Sequence, residues 1–585
     1  MVSRRVVIIS TVFLSLLTIA PAAQQSSRGG INSIQQEPLK EWLTYIASDE
    51  LQGRATYSEG LGLAAGYIAS HLAQWGVKPA GDNGTYLQVV KVLGVRTTSR
   101  ATVTVDVNGQ SRTFNDGEGI TFPKNMGGKQ TFVADQVQFA GYGLTLPAGT
   151  HDDYAKVDPK GKVIVWLGPS GPKTSESGLF RLLNAAARNR AAFEKGAIAA
   201  IGPPGGGGFG GRGRGGDAPA AAPTPSATPP PPPAPAAPAA GGRGRGGVVD
   251  DGDFTTVQRL DAKVTPAVTA EDAFFEHLFS GAELKYADLK QKAANQEPLS
   301  PFALTGVKIT FNVDADYAVV RTRLTHNVVG IVEGSDPKLK DTYVAFGAHY
   351  DHTGYREGVG GGGRGRRGGQ APANPEDRIN NGADDDGSGT VAIMSIARAF
   401  AQGPKPRRSL LFVWHAGEEN GLLGSRYNAD YPVVPIDKIV AQLNMDMVGR
   451  NRNDDPKQAN TVLVVGSDRI STELHNINED ANASLPKPMS LDYEMNDPAD
   501  TESIYTRSDH YSYAAKGIPI IFFFTGLHPD YHAPSDSVDK IIFDKIQRVA
   551  QLAYETGRRV ANLDHAPVRD NKGPRAGKTV RGKIK

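Results

Sequence analysis

A doubly wound α/β fold, with a mostly parallel sheet and helices on both faces, is predicted for the C-terminal half of this 585-residue chain. Two observations predict it. From about residue 308 onward, short aliphatic runs alternate with helical patterns, the rhythm of strand, crossover helix and strand. The acidic and histidine residues with chemical potential also fall at the ends of those runs, where ligands bind in such sheets. The strands are read at 328–332, 342–348, 410–414, 440–445, 462–465 and 518–524, and the helices at 390–401, 422–429, 471–482 and 541–562.

The N-terminal half reads differently. Residues 38–92 carry a helical pattern, L-K-E-W-L-T-Y-I-A and then 60–75, closing at Gly76. Short β-branched runs at 101–107, 131–139 and 162–167, followed by a helix at 182–195, predict a small β-rich α+β domain inserted into the first. Two tracts lack the apolar content for a core: a Gly/Pro/Ala/Arg stretch at 203–248 and a Gly/Arg stretch at 358–369. The expected division is 24–99 for the first segment of the main domain, 100–304 for the insert, 305–563 for the main domain, and 564–585 for a disordered basic tail.

With 64 basic and 62 acidic side chains the net charge is +2, which gives no field for a polyanion; the Arg/Gly tracts read as solvated linkers, and no nucleic-acid partner is expected. There are no cysteines, so disulfides are excluded and any zinc must be held by His, Asp and Glu. Arg4 and Arg5, the apolar residues 6–19 and the small residues at 20–23 form the parts of a secretory signal. The apolar stretch is shorter than the roughly 20 residues that span a bilayer. The expectation is an exported protein, periplasmic or secreted, with no stable membrane anchor after cleavage at about residue 23.

His349 ends one strand, and Asp351 stands two residues on, able to orient an imidazole that binds a metal. His352 is a neighbour without an assigned role. Three consecutive carboxylates, Asp384 to Asp386, precede a helix; they repel one another unless a cation neutralises them, and Asp384, nearest the strand side, is expected to bridge metals. Glu418 and Glu419 follow another apolar strand. Adjacent residues on an extended segment point in opposite directions, so one carboxylate can hold a metal while the other serves as general base. Asp446 ends a run too apolar for an unpaired charge, which calls for a cation or Arg450 as partner. His532 follows the last strand, and Tyr505 precedes it. The set His349, Asp384, Glu419, Asp446 and His532 suits two metals sharing one carboxylate, with zinc favoured and manganese or cobalt as substitutes.

These residues lie in A-H-Y-D, G-A-D-D-D-G-S-G, G-E-E-N-G-L-L-G-S, N-M-D-M-V-G-R, S-D-H and Y-H-A-P-S-D, six motifs through which the chain resembles the co-catalytic (two-zinc) metalloaminopeptidase family of the aminopeptidase S and aminopeptidase Y type. The text A-S-D-E-L-Q-G-R at 47–54 extends the likeness. The stretches F-A-G-Y-G-L, D-D-Y, D-P-K-G-K-V-I-V and E-K-G-A-I-A-A-I look like an inserted protease-associated domain. The resemblance implies a zinc exopeptidase fold and two zinc ions per chain: His349 and Asp446 on one, Glu419 and His532 on the other, with Asp384 between them. It implies Glu418 as general base, Asp351 as orienter of His349, Tyr505 as oxyanion stabiliser, and a cis peptide at Asp384-Asp385. The expected reaction is hydrolysis of the N-terminal residue from peptides with a free N-terminus, by a water bridging the metals; Glu494 and Asp497 are candidates for reading the α-amino group. A carboxypeptidase, using Arg450 or Arg507 for the substrate carboxylate, a dipeptidase, a glutaminyl cyclase or an inactive peptide-binding relative would keep much of the same site.

Overall fold

The computed structural model describes residues 29–145, 151–173, 183–205, 252–355, 376–497, 500 and 502–571. The expected signal at 1–23, nearly all of the tract at 203–248, the tract at 358–369 and residues 572–585 lie outside the described residues.

Among the described residues two ten-stranded sheets, each with its own apolar core, account for all but a two-stranded ribbon of the β-structure. At the centre of the first, Tyr343–His349 lies between Ser409–His415 and Ile439–Met445, parallel to both, and Ile520–Phe524 extends the parallel set. Every residue of Ser409–His415 and Ile439–Met445 is buried, as continuous apolar runs must be when helices cover both faces. Gly389–Ala401 and Phe543–Asn562 pack into one core with the early helices Gln36–Ile46 and Glu59–Gln74. Tyr513, from His510–Ala514, joins a smaller core with Ala345, Leu411 and Val413.

The sheet is mixed rather than mostly parallel. Ala315–Val332, Leu87–Ser99 and Phe254–Thr256 add antiparallel strands on one side, and Thr461–Val465 runs antiparallel to Ile520–Phe524 on the other. Leu87–Ser99 replaces the end of the expected helical stretch. Its residues alternate between buried and more exposed, the pattern of an antiparallel strand with one wet face. Ala315–Val332 spans 18 residues where the apolar run suggested 328–332, because its outer part carries Arg321, Arg323 and other polar side chains on a partly solvated ribbon.

The second sheet runs from Thr102–Val107 to Val307–Val313, which pairs with Thr102–Val107 and Gln130–Ala134 and so lies past the expected division at residue 304. Its interior strands Val137–Phe139, Val163–Val165, Ala199–Gly202 and Ala267–Ala270 are parallel. At the other end of the chain, residues 564–571 are tied down rather than loose. Val568 N–H donates to Glu473, Asp570 accepts from Thr472 N–H, and Asn571 N–H reaches the Ile470 carbonyl. No helix among the described residues is long and apolar enough to cross a membrane.

Candidate metal centre

The parallel strands end side by side, with His349 paired in register to His415. This brings His349, the Glu418-Glu419 turn after Ser409–His415, and Asp446 after Ile439–Met445 to one crevice. The Asp384 to Asp386 turn enters from the start of helix Gly389–Ala401, and His532 from the segment after Ile520–Phe524.

Two sets of donor atoms converge there. His349 Nε2 lies 3.3 Å from Asp385 Oδ1 and 3.6 Å from Asp446 Oδ2. His532 Nε2 lies 3.0 Å from Asp385 Oδ2 and 3.1 Å from Glu419 Oε2. A tetrahedral zinc site with bonds of about 2.0 Å has ligand atoms about 3.3 Å apart, so both sets fit a cation. Asp385 turns one oxygen to each set, the placement a bridging carboxylate needs. His352 joins the second group: its Nδ1 is 2.8 Å from Glu419 Oε1 and 3.8 Å from Asp385 Oδ2. His349 Nε2, both His352 ring nitrogens, Asp385 Oδ2, Glu419 Oε1 and Asp446 Oδ1 are buried without an aligned hydrogen bond. Buried polar atoms seldom stay unsatisfied, and a cation would satisfy these together.

The bridge position therefore falls to Asp385, not Asp384. Asp384 turns away: its Oδ1 accepts from Gly449 N–H at 2.6 Å, and its Oδ2 faces His528 Nε2 at 3.3 Å. Asp386 also faces the interior, accepting from the backbone N–H of His349 at 3.1 Å, Gly389 at 2.9 Å and Met447 at 3.2 Å. Proximity to the strand did not decide direction, because Gly382, at φ +56, turns the chain before the triplet. The non-proline cis peptide is Asp385-Asp386, one bond later than expected.

Asp351 does more than orient His349. Its carbonyl lies 3.1 Å and its carboxylate 3.6 Å from His349 Nδ1, leaving Nε2 for the crevice. The same carboxylate accepts from Glu418 N–H at 3.1 Å and Glu419 N–H at 3.4 Å. Two further residues without an expected role brace the centre. The Asp536 carboxylate accepts from the N–H groups of Asp384 and Asp385. Arg54, fully buried, donates to the carbonyls of Tyr350 at 2.9 Å, Asn381 at 2.7 Å and Gly382 at 3.0 Å. Arg54 was visible in the sequence only as the last letter of A-S-D-E-L-Q-G-R.

Charge is unevenly shared. Burial raises the Glu418 carboxyl well above the usual range, with Glu419, Asp446 and Asp509 adding to it against His349. Burial also opposes ionisation of Asp385, but His349 and His532 outweigh it and hold the carboxyl well below its usual value.

Tyr505 is not brought to the crevice. Its ring lies under the Arg469 guanidinium, 3.7 Å away, and its carbonyl faces His510 Nε2 at 2.8 Å. The tyrosine lining the crevice is Tyr531, whose hydroxyl accepts from Arg507 Nη2 at 3.2 Å. Its position directly before His532 was the available signal. Arg450 does not partner Asp446; it pairs with Asp454 and Asp530. Glu494 pairs with Arg452 away from the crevice, and Asp497 lines a separate cavity.

Fold and site together define an α/β protein with a candidate metal centre at the carboxyl ends of its parallel strands. Residues 327–557, which contain every candidate metal ligand named above, match Peptidase family M28. The chain is similar to a probable leucine aminopeptidase of Trichophyton verrucosum, 30% identical over 243 residues that cover 39% of this chain and 57% of that protein. Leucine aminopeptidase 1 of Trichophyton equinum is 29% identical over 237 residues, covering 39% of this chain and 56% of that protein. The chain thus spans little more than half the length of these relatives. Among solved structures, an aminopeptidase from Aneurinibacillus sp. strain AM-1 aligns at 18% identity and a TM-score of 0.40, covering 93% of this chain and 97% of that one.

Proposed function

We propose that this protein is a zinc-dependent exopeptidase that removes the N-terminal residue from peptides. The observation that carries the reading is Asp385, with one oxygen toward His349 and Asp446 and the other toward His532 and Glu419, while Glu418 lines the same crevice. His349, Asp446 and Asp385 would hold one zinc, and Asp385, Glu419 and His532 the other. Zinc held there would lower the pKa of a water toward about 7 and polarise the scissile carbonyl.

Glu418 then acts as general base: it takes the proton of the attacking water and returns it to the leaving amine. Asp351 fixes the backbone of Glu418 and Glu419 together, so base and ligand keep their spacing. Tyr531, held at its oxygen by Arg507, is left with its proton for the developing oxyanion, the task expected of Tyr505. Ile504, Phe522, Phe524 and Leu527 give the crevice an apolar wall, which suits an apolar side chain on the released residue. The crowded carboxylates favour a free α-ammonium over a blocked terminus.

Arg507 supports a second reading, because a guanidinium in the crevice can meet a substrate carboxylate, as in a carboxypeptidase or dipeptidase. The second sheet, with F-A-G-Y-G-L on and after Val137–Phe139, is our candidate for a protease-associated domain. The signal-like N-terminus supports export. Matched free and N-acetylated peptides, incubated with the zinc-loaded protein, with Glu418→Gln and with chelator, test the function. Release from free N-termini only, lost in both controls, is expected; release from the C-terminus moves the assignment to a carboxypeptidase, and cleavage that persists in Glu418→Gln removes the proposed base.

A further inference from the structure

One turn, Ile504–Thr506, separates two cavities. On one side Ile504, Arg507 and Ser508 line the catalytic crevice. On the other, Ser503, Tyr505 and Thr506 line a cavity of about 640 Å³ whose far wall includes Arg190 and Glu194, on helix Ala185–Glu194 beside the second sheet. The turn is not at rest in its own backbone. Ser503, at φ +53, occupies the left-handed region, which is unfavourable for a residue other than glycine.

Besides the His510 ring at the Tyr505 carbonyl, three contacts hold the turn. The Asp500 carboxylate accepts from Glu502 N–H at 3.0 Å and Ile504 N–H at 2.9 Å. Arg469 lies over the Tyr505 ring. The third comes from the other unit: Arg190 Nη1 donates to Thr506 Oγ1 at 2.8 Å, and that hydroxyl donates onward to the Ser503 carbonyl at 3.1 Å. The hydroxyl is thus occupied as acceptor and as donor, and it links Arg190 to the strained residue. Arg190 also borders a second cavity of about 740 Å³, lined by Phe122, Asn189 and Tyr511, so it bridges a gap that close packing does not fill.

We propose that Arg190 is a positioning residue for the substrate-binding wall: through Thr506 it holds the turn so that Ile504 and Arg507 face the crevice, making binding there depend on the second unit. The part concerning substrate rests on the exopeptidase reading above.

The test uses the full zinc-loaded chain, with Arg190→Ala, Thr506→Val, which keeps shape but loses the hydroxyl, Thr506→Ser, which keeps it, and Glu194→Gln as a cavity-wall control. Hydrogen exchange at the 502–508 amides is the first readout and needs no activity. Arg190→Ala and Thr506→Val are expected to speed it by about fivefold to tenfold, the net size of one part-exposed hydrogen bond exchanged with water, with Thr506→Ser and Glu194→Gln near wild type. The second readout is KM for a leucine anilide, expected to rise by a similar factor in the first two variants, with kcat within about twofold and no further rise in the double variant. Unchanged exchange in Arg190→Ala overturns the positioning claim, and faster exchange with unchanged KM removes its link to substrate. A wild type that cleaves no peptide defeats the exopeptidase reading alone, since exchange still decides whether Arg190 holds the turn.

Discussion

The front and the back of the Asp384 to Asp386 turn face the same problem and solve it differently. At the back, Asp384, Asp386 and Asp536 are buried carboxylates that each accept from backbone N–H groups, those of Gly449, His349, Gly389, Met447, Asp384 and Asp385, with Asp384 Oδ2 alone left to face a histidine, His528. At the front, Asp385, Glu419 and Asp446 are slightly less enclosed and face histidine nitrogens and one another, with several atoms left unsatisfied. Burial of a charge is costly unless a partner meets it. Backbone donors are permanent partners and make a carboxylate structural; an arrangement that lacks them favours an exchangeable cation.

The largest effect should come from crossing that division. Asp385→Asn is expected to lower kcat by about 10³-fold or more, roughly 4 kcal/mol of transition-state stabilisation, and to lower the zinc bound per chain, while the metal-free protein keeps or gains thermal stability. Elemental analysis, kinetics and melting curves check this; a metal-free form that loses several degrees would show that Asp385 is structural after all.

Asp386→Ala should do the reverse in the metal-free protein, costing about 3 kcal/mol in denaturant unfolding, because three N–H groups lose their acceptor inside the core. A cost below about 1 kcal/mol would erase the contrast between back and front.

Arg54 ties the two sides, holding the Tyr350 and Gly382 carbonyls in one fork. Arg54→Lys keeps the charge and loses the fork, so zinc affinity measured by chelator competition should weaken by about tenfold. Affinity equal to wild type would mean that the two turns hold their spacing without Arg54.

His510 shows a third solution to burial, neutrality. Its ring stacks on Phe522 at 4.4 Å, and burial lowers its pKa to about 3. Because the folded value lies below the unfolded one, its contribution to stability is complete above about pH 6.5 and is lost as pH falls toward 3, by about 1.4 kcal/mol per pH unit within that window. The wild type minus His510→Phe difference in unfolding free energy should carry that slope. A flat difference between pH 6 and 4 would show that His510 is already charged, or free to reach water, in the fold.

Much of the central scaffold was legible. Tyr343–His349, Ser409–His415 and Ile439–Met445 fall within a residue or two of their apolar runs, because strands buried on both faces leave an unbroken hydrophobic signature. Leu87–Ser99 and the outer part of Ala315–Val332 were not, because half-wet strands dilute that signature with Arg, Lys and Thr. At the site, strand ends located His349, Glu418, Glu419 and Asp446. Asp385, Tyr531 and Arg54 were misplaced or passed over, since none sits on a regular strand or helix where spacing reports direction.

The sequence by itself determined which chemistry is available: with no cysteine, a run of carboxylates and histidines placed after apolar strands, any metal must be met by nitrogen and oxygen at the sheet's carboxyl edge. Only the tertiary structure decided which carboxylate of a consecutive triplet faces the crevice and which tyrosine borders it. Those choices depend on where backbone donors from distant segments, Gly449, Met447 and the Asp536 loop, have already claimed the neighbouring side chains, and no local pattern encodes that competition.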